Sequence, residues 1–191
     1  MARFTTPALA AGSLTRLTQP VLRLDDGLLR PWQPADVNVV VAAYSDPAIQ
    51  LWHDRSMTTA QAREWIVGWS GRWAAETGAG WAIADASAVL GQISLRRLDF
   101  HDAVGEVSYW VLPAARGRRL APRALRALSA WAFGELGLHR IELEHSTRNA
   151  ASCRVAQRAG YVAEGTRRSA VQHADGWHDM HQHALLASDP G

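Results

Sequence analysis

Gly105-Glu-Val-Ser-Tyr-Trp-Val-Leu-Pro-Ala-Ala-Arg-Gly-Arg-Arg-Leu-Ala121 decides how this chain is read. Its first half has the Val, Ser, Tyr and Trp content of a strand, predicted over residues 104–112. Pro113 ends that strand, and a loop runs to a helix predicted from Ala121 to Leu136. Pro122 suits the first helical turn, where a missing N–H costs nothing, and Gly137 is a natural terminator. Arg116, Arg118, Arg119, Arg123 and Arg126 crowd this junction. Unpaired N–H groups and the positive end of the helix dipole face the loop there, and the guanidinium groups add charge. The segment therefore reads as an anion site whose natural guest is a phosphorylated cofactor. Two other readings compete: a solvated basic helix face, favoured for Arg123 and Arg126, and a nucleic-acid patch. The second lacks an aromatic platform and an RNA-binding motif.

Working outward, residues 21–32 read as an opening strand, 34–45 as a helix and 58–76 as a longer helix capped by Thr58 or Thr59. Residues 80–85 and 89–99 form a strand pair. Beyond the central helix come a strand at 140–146, a helix at 149–159 and a hairpin of 161–172 with 177–187, turning at Ala174-Asp175-Gly176. The order is a mixed α/β (α+β) chain with one central sheet. Within 191 residues no linker divides the chain. One domain at 21–187 is expected, with an extension at 1–20 and a short tail at 188–191. A net charge of +2 argues against a general polyanion binder. No apolar run approaches the roughly 20 residues of a membrane span. The single Cys153 agrees with a reducing compartment, and a cytoplasmic location is expected. All 20 basic residues are arginine, so arginine at any one position is weak evidence for a bidentate role.

The quoted stretch resembles the cofactor-binding motif of the GNAT acetyltransferases, a strand followed by (Q/R)-x-x-G-x-(G/A) and a helix, with Arg116 first and Ala121 last. A second stretch supports it: Asn149-Ala-Ala-Ser152-Cys-Arg154, then Gly160-Tyr161 and Glu164-Gly165-Thr-Arg167. It is similar to the N-x-x-S-x-R...G-(F/Y)...E-G-x-x-R pattern of the branch that acetylates ribosomal-protein N-termini, the RimJ/RimL type. Arg30-Pro31-Trp32 with Asp36 fits as well. The resemblance spans residues 22–187. It implies a mostly antiparallel twisted sheet of about seven strands flanked by about four helices. It also implies acetyl-CoA as donor and an amine as acceptor, either a protein N-terminus or a small molecule such as an antibiotic or metabolite. A GNAT-shaped binding module without turnover is the rival from another class.

What the resemblance implies for single residues is equally specific. Arg116, Gly117, Arg118, Arg119, Leu120 and Ala121 would hold the pyrophosphate, and Asn149, Ser152 and Arg154 would meet the pantetheine arm. A backbone N–H near Val111, at a strand bulge, would polarise the thioester carbonyl. Glu106 is the expected base, against a structural carboxylate paired with nearby arginines. Ser152 is the expected thiolate stabiliser or acid, against a plain helix-start hydroxyl. Asn149 has helix capping as its other role. Ser108 and Trp110 share the face of Glu106 by strand alternation and should line the acceptor pocket, joined by Trp32 and Trp69. Two departures stand out. Arg119 replaces the usual Gly, a strained choice if that position needs positive φ. Ala156 occupies the place of the family's proton-donating Tyr, which excludes that mechanism.

Other features read plainly. Trp65, Trp69 and Trp73 form a helix stripe that is either core or an acceptor wall, as are Trp32 and Trp52. His173, His178, His181 and His183 read as surface histidines. Only 181 and 183 share a strand face, without Cys or carboxylate, so no metal is expected. Cys153 reads as a packing residue. Residues 1–20 are either disordered or an arm on a neighbouring subunit, which would make a homodimer.

Overall fold

The structure is a computed structural model that describes residues 5–53 and 55–189. The expectations for residues 1–4 and for 190 and 191 lie outside those residues. Among the described residues eight strands form one sheet: β1 (Leu22–Leu24), β2 (Gly27–Pro31), β3 (Ala79–Ala84), β4 (Val89–Asp99), β5 (Val104–Val111), β6 (Arg140–Ser146), β7 (Val162–His173) and β8 (Gly176–Leu186). Their order is β1-β2-β3-β4-β5-β6-β8-β7. Every neighbouring pair is antiparallel except β5 and β6, which run parallel.

In the same described residues five α-helices accompany the sheet: α1 (Val37–Ser45), α2 (Pro47–His53), α3 (Thr59–Ala74), α4 (Leu120–Trp131) and α5 (Ala150–Arg158). The expected class and fold hold, with two departures in detail. The opening strand is a hairpin folded at Asp25-Asp26, which adds a strand. The short helix α2 is an addition to the expected set. Thr58 caps α3, its hydroxyl accepting from the Gln61 N–H at 3.3 Å while Gln61 returns the bond to Thr58 N–H at 2.9 Å. Helix α4 continues to Leu136 through one π turn and stops at Gly137, whose φ is 84°. Leu125, Leu128 and Ala132 on its apolar stripe are fully buried.

Alternation along β5 divides the molecule into layers. Val107, Tyr109 and Val111 face the core shared with α4 and α5, whereas Trp110 faces a second core built by α1 and α3. Deep contacts fix this arrangement. Trp69 packs so closely on β3 that a Cβ at Gly80 would meet its ring at 2.4 Å. Arg30 and the buried Asp36 form a bidentate pair at 2.7 and 2.8 Å, tying β2 to the start of α1. The Arg30…Asp36 part of the sequence pattern is thus a brace.

The described part of the N-terminal segment packs against the domain of its own chain. Leu14 is 0% exposed within the main core. The Glu76 carboxylate accepts the N–H groups of Gly12 and Leu14 at 2.6 and 2.7 Å. Ala8 and Leu9 bond the carbonyls of His101 and Phe100. Among the described residues, no helix is long and apolar enough to cross a membrane.

Candidate active site

The parallel pairing of β5 with β6 is short. It joins Val104–Val107 to Arg140–Leu143 and stops, so that the strands part toward Val111 and Ser146. A cleft of about 570 Å³ opens in this gap, bounded by the α4 loop on one side and α5 on the other. The antiparallel ladder to β4 controls what β5 presents to it. Leu112 N–H bonds the Leu90 carbonyl at 2.9 Å. Alternation along the ladder therefore turns the amide edges of Tyr109 and Val111 away from β4, toward the gap. The bulge expected near Val111 lies instead on β4, between Leu95 and Arg97.

At the α4 end, the loop takes an anion-receiving shape. Gly117 has φ 82° and Arg119 φ 56°, so two left-handed residues precede the helix. The Arg at the usual Gly position is therefore in the conformation that Gly adopts without penalty. The five arginines divide by partner. Arg118 pairs with Asp85 at 3.4 Å, Arg123 with Asp26 at 2.6 Å, and Arg126 donates to the Arg158 carbonyl at 2.7 Å. Arg116 donates through Nε to the Val111 carbonyl at 3.2 Å, linking the loop to β5. Arg116, Arg119, Arg154 and Arg158 line the cleft. Gly117, Leu120, Ala121 and Pro122 line it too, while Arg118 does not.

At the α5 end, Asn149 caps the helix: its Oδ1 accepts the Ser152 N–H at 3.0 Å. The Asn149 amide N–H₂ is left for another acceptor, so capping and ligand binding are compatible. Ser152 Oγ lies 2.8 Å from the Tyr109 hydroxyl, which reaches it from β5. Burial pushes the Tyr109 phenol up to about 12, so its proton stays in place across the working pH range. The excluded family tyrosine concerned position 156, where Ala156 is buried. A tyrosine hydroxyl enters the cleft from a different element. Tyr109 was passed over because alternation drew attention to the Glu106, Ser108 and Trp110 face; its position next to Ser108 was the available signal.

Trp52, His53, Ser108, Trp110, His173 and Met180 also line the cleft. Trp32 and Trp69 are not among the lining residues. They stack edge-on with Trp65 at 5.1 and 5.5 Å, and Trp32 approaches Trp110 at 6.4 Å, forming a wall behind the cleft. Glu106 lines a smaller adjoining cavity of about 140 Å³ that shares Arg96, Leu143 and Glu144 with the cleft. Its side chain, 13% exposed, is engaged by Arg96 and also by Arg97 at 3.5 Å. Glu144 accepts from Arg167 at 2.9 Å, and Glu164 pairs with Arg140, which makes the Glu164…Arg167 part of the pattern a brace between β6 and β7.

His53 Nε2–H donates to the Tyr109 carbonyl at 3.1 Å. Burial lowers the His53 imidazole to about 4. The folded state thus holds it neutral while the unfolded chain protonates near 6.5. The resulting stability is complete above pH 6.5 and is lost as pH falls from 6.5 toward 4, by up to about 3 kcal/mol. The variant His53→Gln retains a donor without the titration. Urea unfolding at pH 7 and pH 4.5 should show a smaller acid-dependent loss in the variant than in the parent; equal losses would remove His53 as a source.

The histidines read as surface groups are corrected by the structure. His178 and His183 are each 1% exposed, and His145 on β6 is 5% exposed. They are buried because β8 lies inside the sheet, between β6 and β7. His178 Nδ1 is 2.8 Å from Ser146 Oγ and its Nε2 2.8 Å from Asp175.

The sheet is thus split between β5 and β6, beside the arginine-bearing N-terminus of α4. The chain belongs to the GNAT acetyltransferases: the family described as acetyltransferase (GNAT) domain matches residues 27–162. It is 32% identical over 96 residues to a Bacillus subtilis protein named "Putative ribosomal N-acetyltransferase YdaF", covering 50% of this chain and 52% of that one. The chain spans about half the length of the curated relatives it matches. Among solved structures it is similar to RimL, a ribosomal L7/L12 alpha-N-protein acetyltransferase in complex with coenzyme A. That match has a TM-score of 0.83 and 17% identity, covering 89% of this chain and 100% of that one. Mycobacterium smegmatis RimJ in complex with CoA-disulfide matches with a TM-score of 0.78 and 21% identity, covering 88% and 86%.

Proposed function

We propose that the protein transfers the acetyl group of acetyl-CoA to a primary amine, by direct attack within a ternary complex. The observation that carries this reading is the opening between β5 and β6, which runs from the arginine-bearing start of α4 to the Tyr109–Ser152 hydroxyl pair. The residues present fit the donor. First-turn N–H groups of α4 at Leu120 and Ala121, which line the cleft beside Arg116 and Arg119, suit a pyrophosphate. The Asn149 amide and the edge of β5 suit the amides of a pantetheine arm.

Acetyl-CoA supplies the activated acetyl thioester when bound. Val111 N–H, turned into the gap, is the fixed donor for developing charge on a carbonyl oxygen, a type of contribution worth several kcal/mol of barrier. Ser152 gives its proton to the departing sulfur as Tyr109, hydrogen-bonded to it, passes its own proton to the serine, and the tyrosine regains a proton from solvent once the thiol leaves. Glu106 receives the amine proton through water in the adjoining cavity. Trp110 and Ser108 shape the acceptor side.

A protein N-terminus is the favoured acceptor class. The carboxylates Glu106 and Glu144 are both matched by arginines, so the acceptor half is not the acidic bowl that a polycationic small amine requires. The relative's ribosomal name and the RimL and RimJ neighbours support the same choice. The test is turnover of acetyl-CoA with short peptides bearing free α-amines, against a panel of small amines. Peptide turnover with little on the panel supports the reading; the reverse moves it to small amines. In the same assay Glu106→Gln is expected to lower kcat about tenfold to a hundredfold with unchanged acetyl-CoA affinity. Unchanged kcat would leave Glu106 as an anchor for Arg96 and Arg97 alone.

A further inference from the structure

The cluster of His145, Cys153, His181 and His183 has no part in the acetyl-transfer steps above, although His145 also lines the cleft and His183 the adjoining cavity. His145 faces His181 across the β6–β8 ladder and Leu143 faces His183, which puts the three imidazoles on one face of the sheet. That face is the one on which Leu143 joins the α4 and α5 core, and α5 carries Cys153 above them. One donor atom from each of the four lies within 4.8 Å of the other three.

We infer that these four residues form a zinc site that fastens α5 to β6 and β8. Zinc takes His nitrogen at about 2.0–2.1 Å and Cys sulfur at about 2.3 Å in a tetrahedron, which separates two imidazole nitrogens by about 3.3 Å. His145 Nε2 and His183 Nε2 are 3.1 Å apart. The remaining ring nitrogens are placed as ligating histidines need them. His145 Nδ1 lies 2.8 Å from the Ser146 carbonyl, which can only accept, so Nδ1 carries the proton and Nε2 presents its lone pair.

His183 makes the same point from the other side. Its Nδ1 is buried without a hydrogen-bond partner among the described residues. If His183 Nε2–H donates to His145, Nδ1 is left as a buried bare acceptor. If instead Nδ1 carries the proton, two lone pairs meet at 3.1 Å. A cation between the two Nε2 atoms removes that second conflict. Three neutral imidazoles and one thiolate form a closed four-ligand set of the structural kind, and its mixed N and S donors match zinc. On binding, the thiol releases its proton to solvent and no redox change occurs. His181 and Cys153 are only partly buried, which leaves an entry path.

The experiment is a titration of the chelator-stripped, reduced full chain with Zn²⁺ against a chromophoric competitor, paralleled by Co²⁺ absorption. One equivalent of Zn²⁺, tetrahedral Co²⁺ bands and a thiolate charge-transfer band are expected. Cys153→Ser should abolish the charge-transfer band, and Cys153→Ser and His181→Asn should each weaken Zn²⁺ binding about a hundredfold. Far-UV circular dichroism shows that each variant is folded, and the exposed-histidine variant His101→Asn should bind as the parent does. Absence of stoichiometric Zn²⁺ binding by the parent would overturn the inference, leaving a plain His–His hydrogen bond. So would undiminished binding by both variants, or Co²⁺ spectra without a thiolate band. Metal content is read without turnover, so neither result depends on the acetyl-transfer reading.

Discussion

Ser152→Ala is expected to lower kcat about a hundredfold to a thousandfold, while the affinity for acetyl-CoA stays within about threefold. Ser152 is buried where it lines the cleft, its hydroxyl 2.8 Å from Tyr109 and its N–H held by Asn149. As the proposed proton donor, it would act on the leaving group and contribute little to holding the cofactor. Tyr109→Phe removes the second hydroxyl and should produce a loss of similar size. If the two hydroxyls work as one relay, the double variant should be no slower than the worse single variant. Steady-state kinetics with a fixed peptide acceptor, together with acetyl-CoA titrations, read both parts. A Ser152→Ala enzyme with kcat within twofold of the parent would mean that the leaving sulfur takes its proton from water. Full additivity in the double variant would mean that the hydroxyls act separately.

Arg119 carries the second large effect because its backbone and its side chain act in opposite directions. Its φ of 56° puts a Cβ where the left-handed region disfavours one. Arg119→Gly should therefore raise stability by up to about 1 kcal/mol, the relief of strain being partly offset by the greater freedom of glycine in the unfolded chain. The amide that faces the anion site is retained, so acetyl-CoA binding should fall by less than about fivefold. Arg119→Glu keeps the strain and reverses the charge at the mouth of the cleft. There Kd should rise at least about tenfold at low salt, with the difference shrinking as salt screens the exposed charge. Chemical denaturation and calorimetric titration of both variants separate the two contributions. A destabilised Arg119→Gly would mean that the guanidinium itself holds the loop. An Arg119→Glu protein with unaltered affinity would place the phosphates elsewhere.

How far the sequence carried these conclusions can be seen residue by residue. The loop and both flanking helices were legible because their signals are local: Pro122 in the first turn, Gly137 at the stop, Asn149 three residues before Ser152. Even the strain at Arg119 could be read, as a non-glycine at a place where glycine is usual. Helix α2 was not legible, since seven residues starting at Pro47 give too short a window for a helical period. Likewise β1 has three residues, below what alternation can separate from the strand beyond the Asp25-Asp26 turn.

Long-range placement was the harder matter. Nothing near His145 reveals that it meets His183, 38 residues later, because that meeting depends on β8 inserting between β6 and β7. Strand alternation put Glu106, Ser108 and Trp110 on one face correctly. It could not say that the ligand enters through a gap in the sheet, where Tyr109 from the opposite face lines the same cleft. The pairing of Glu106 with Arg96 and Arg97 depends likewise on the β4 bulge, which no composition signal announces.

The most direct measurement of the central claim is a calorimetric titration of the purified protein with acetyl-CoA, with free CoA and ATP as controls. Saturable 1:1 binding of acetyl-CoA, weakened in Arg116→Ala and in Asn149→Ala, is the result expected from a cleft that runs between the α4 loop and α5. Absence of binding at millimolar acetyl-CoA, or binding that both variants leave unchanged, would contradict the assignment of that cleft.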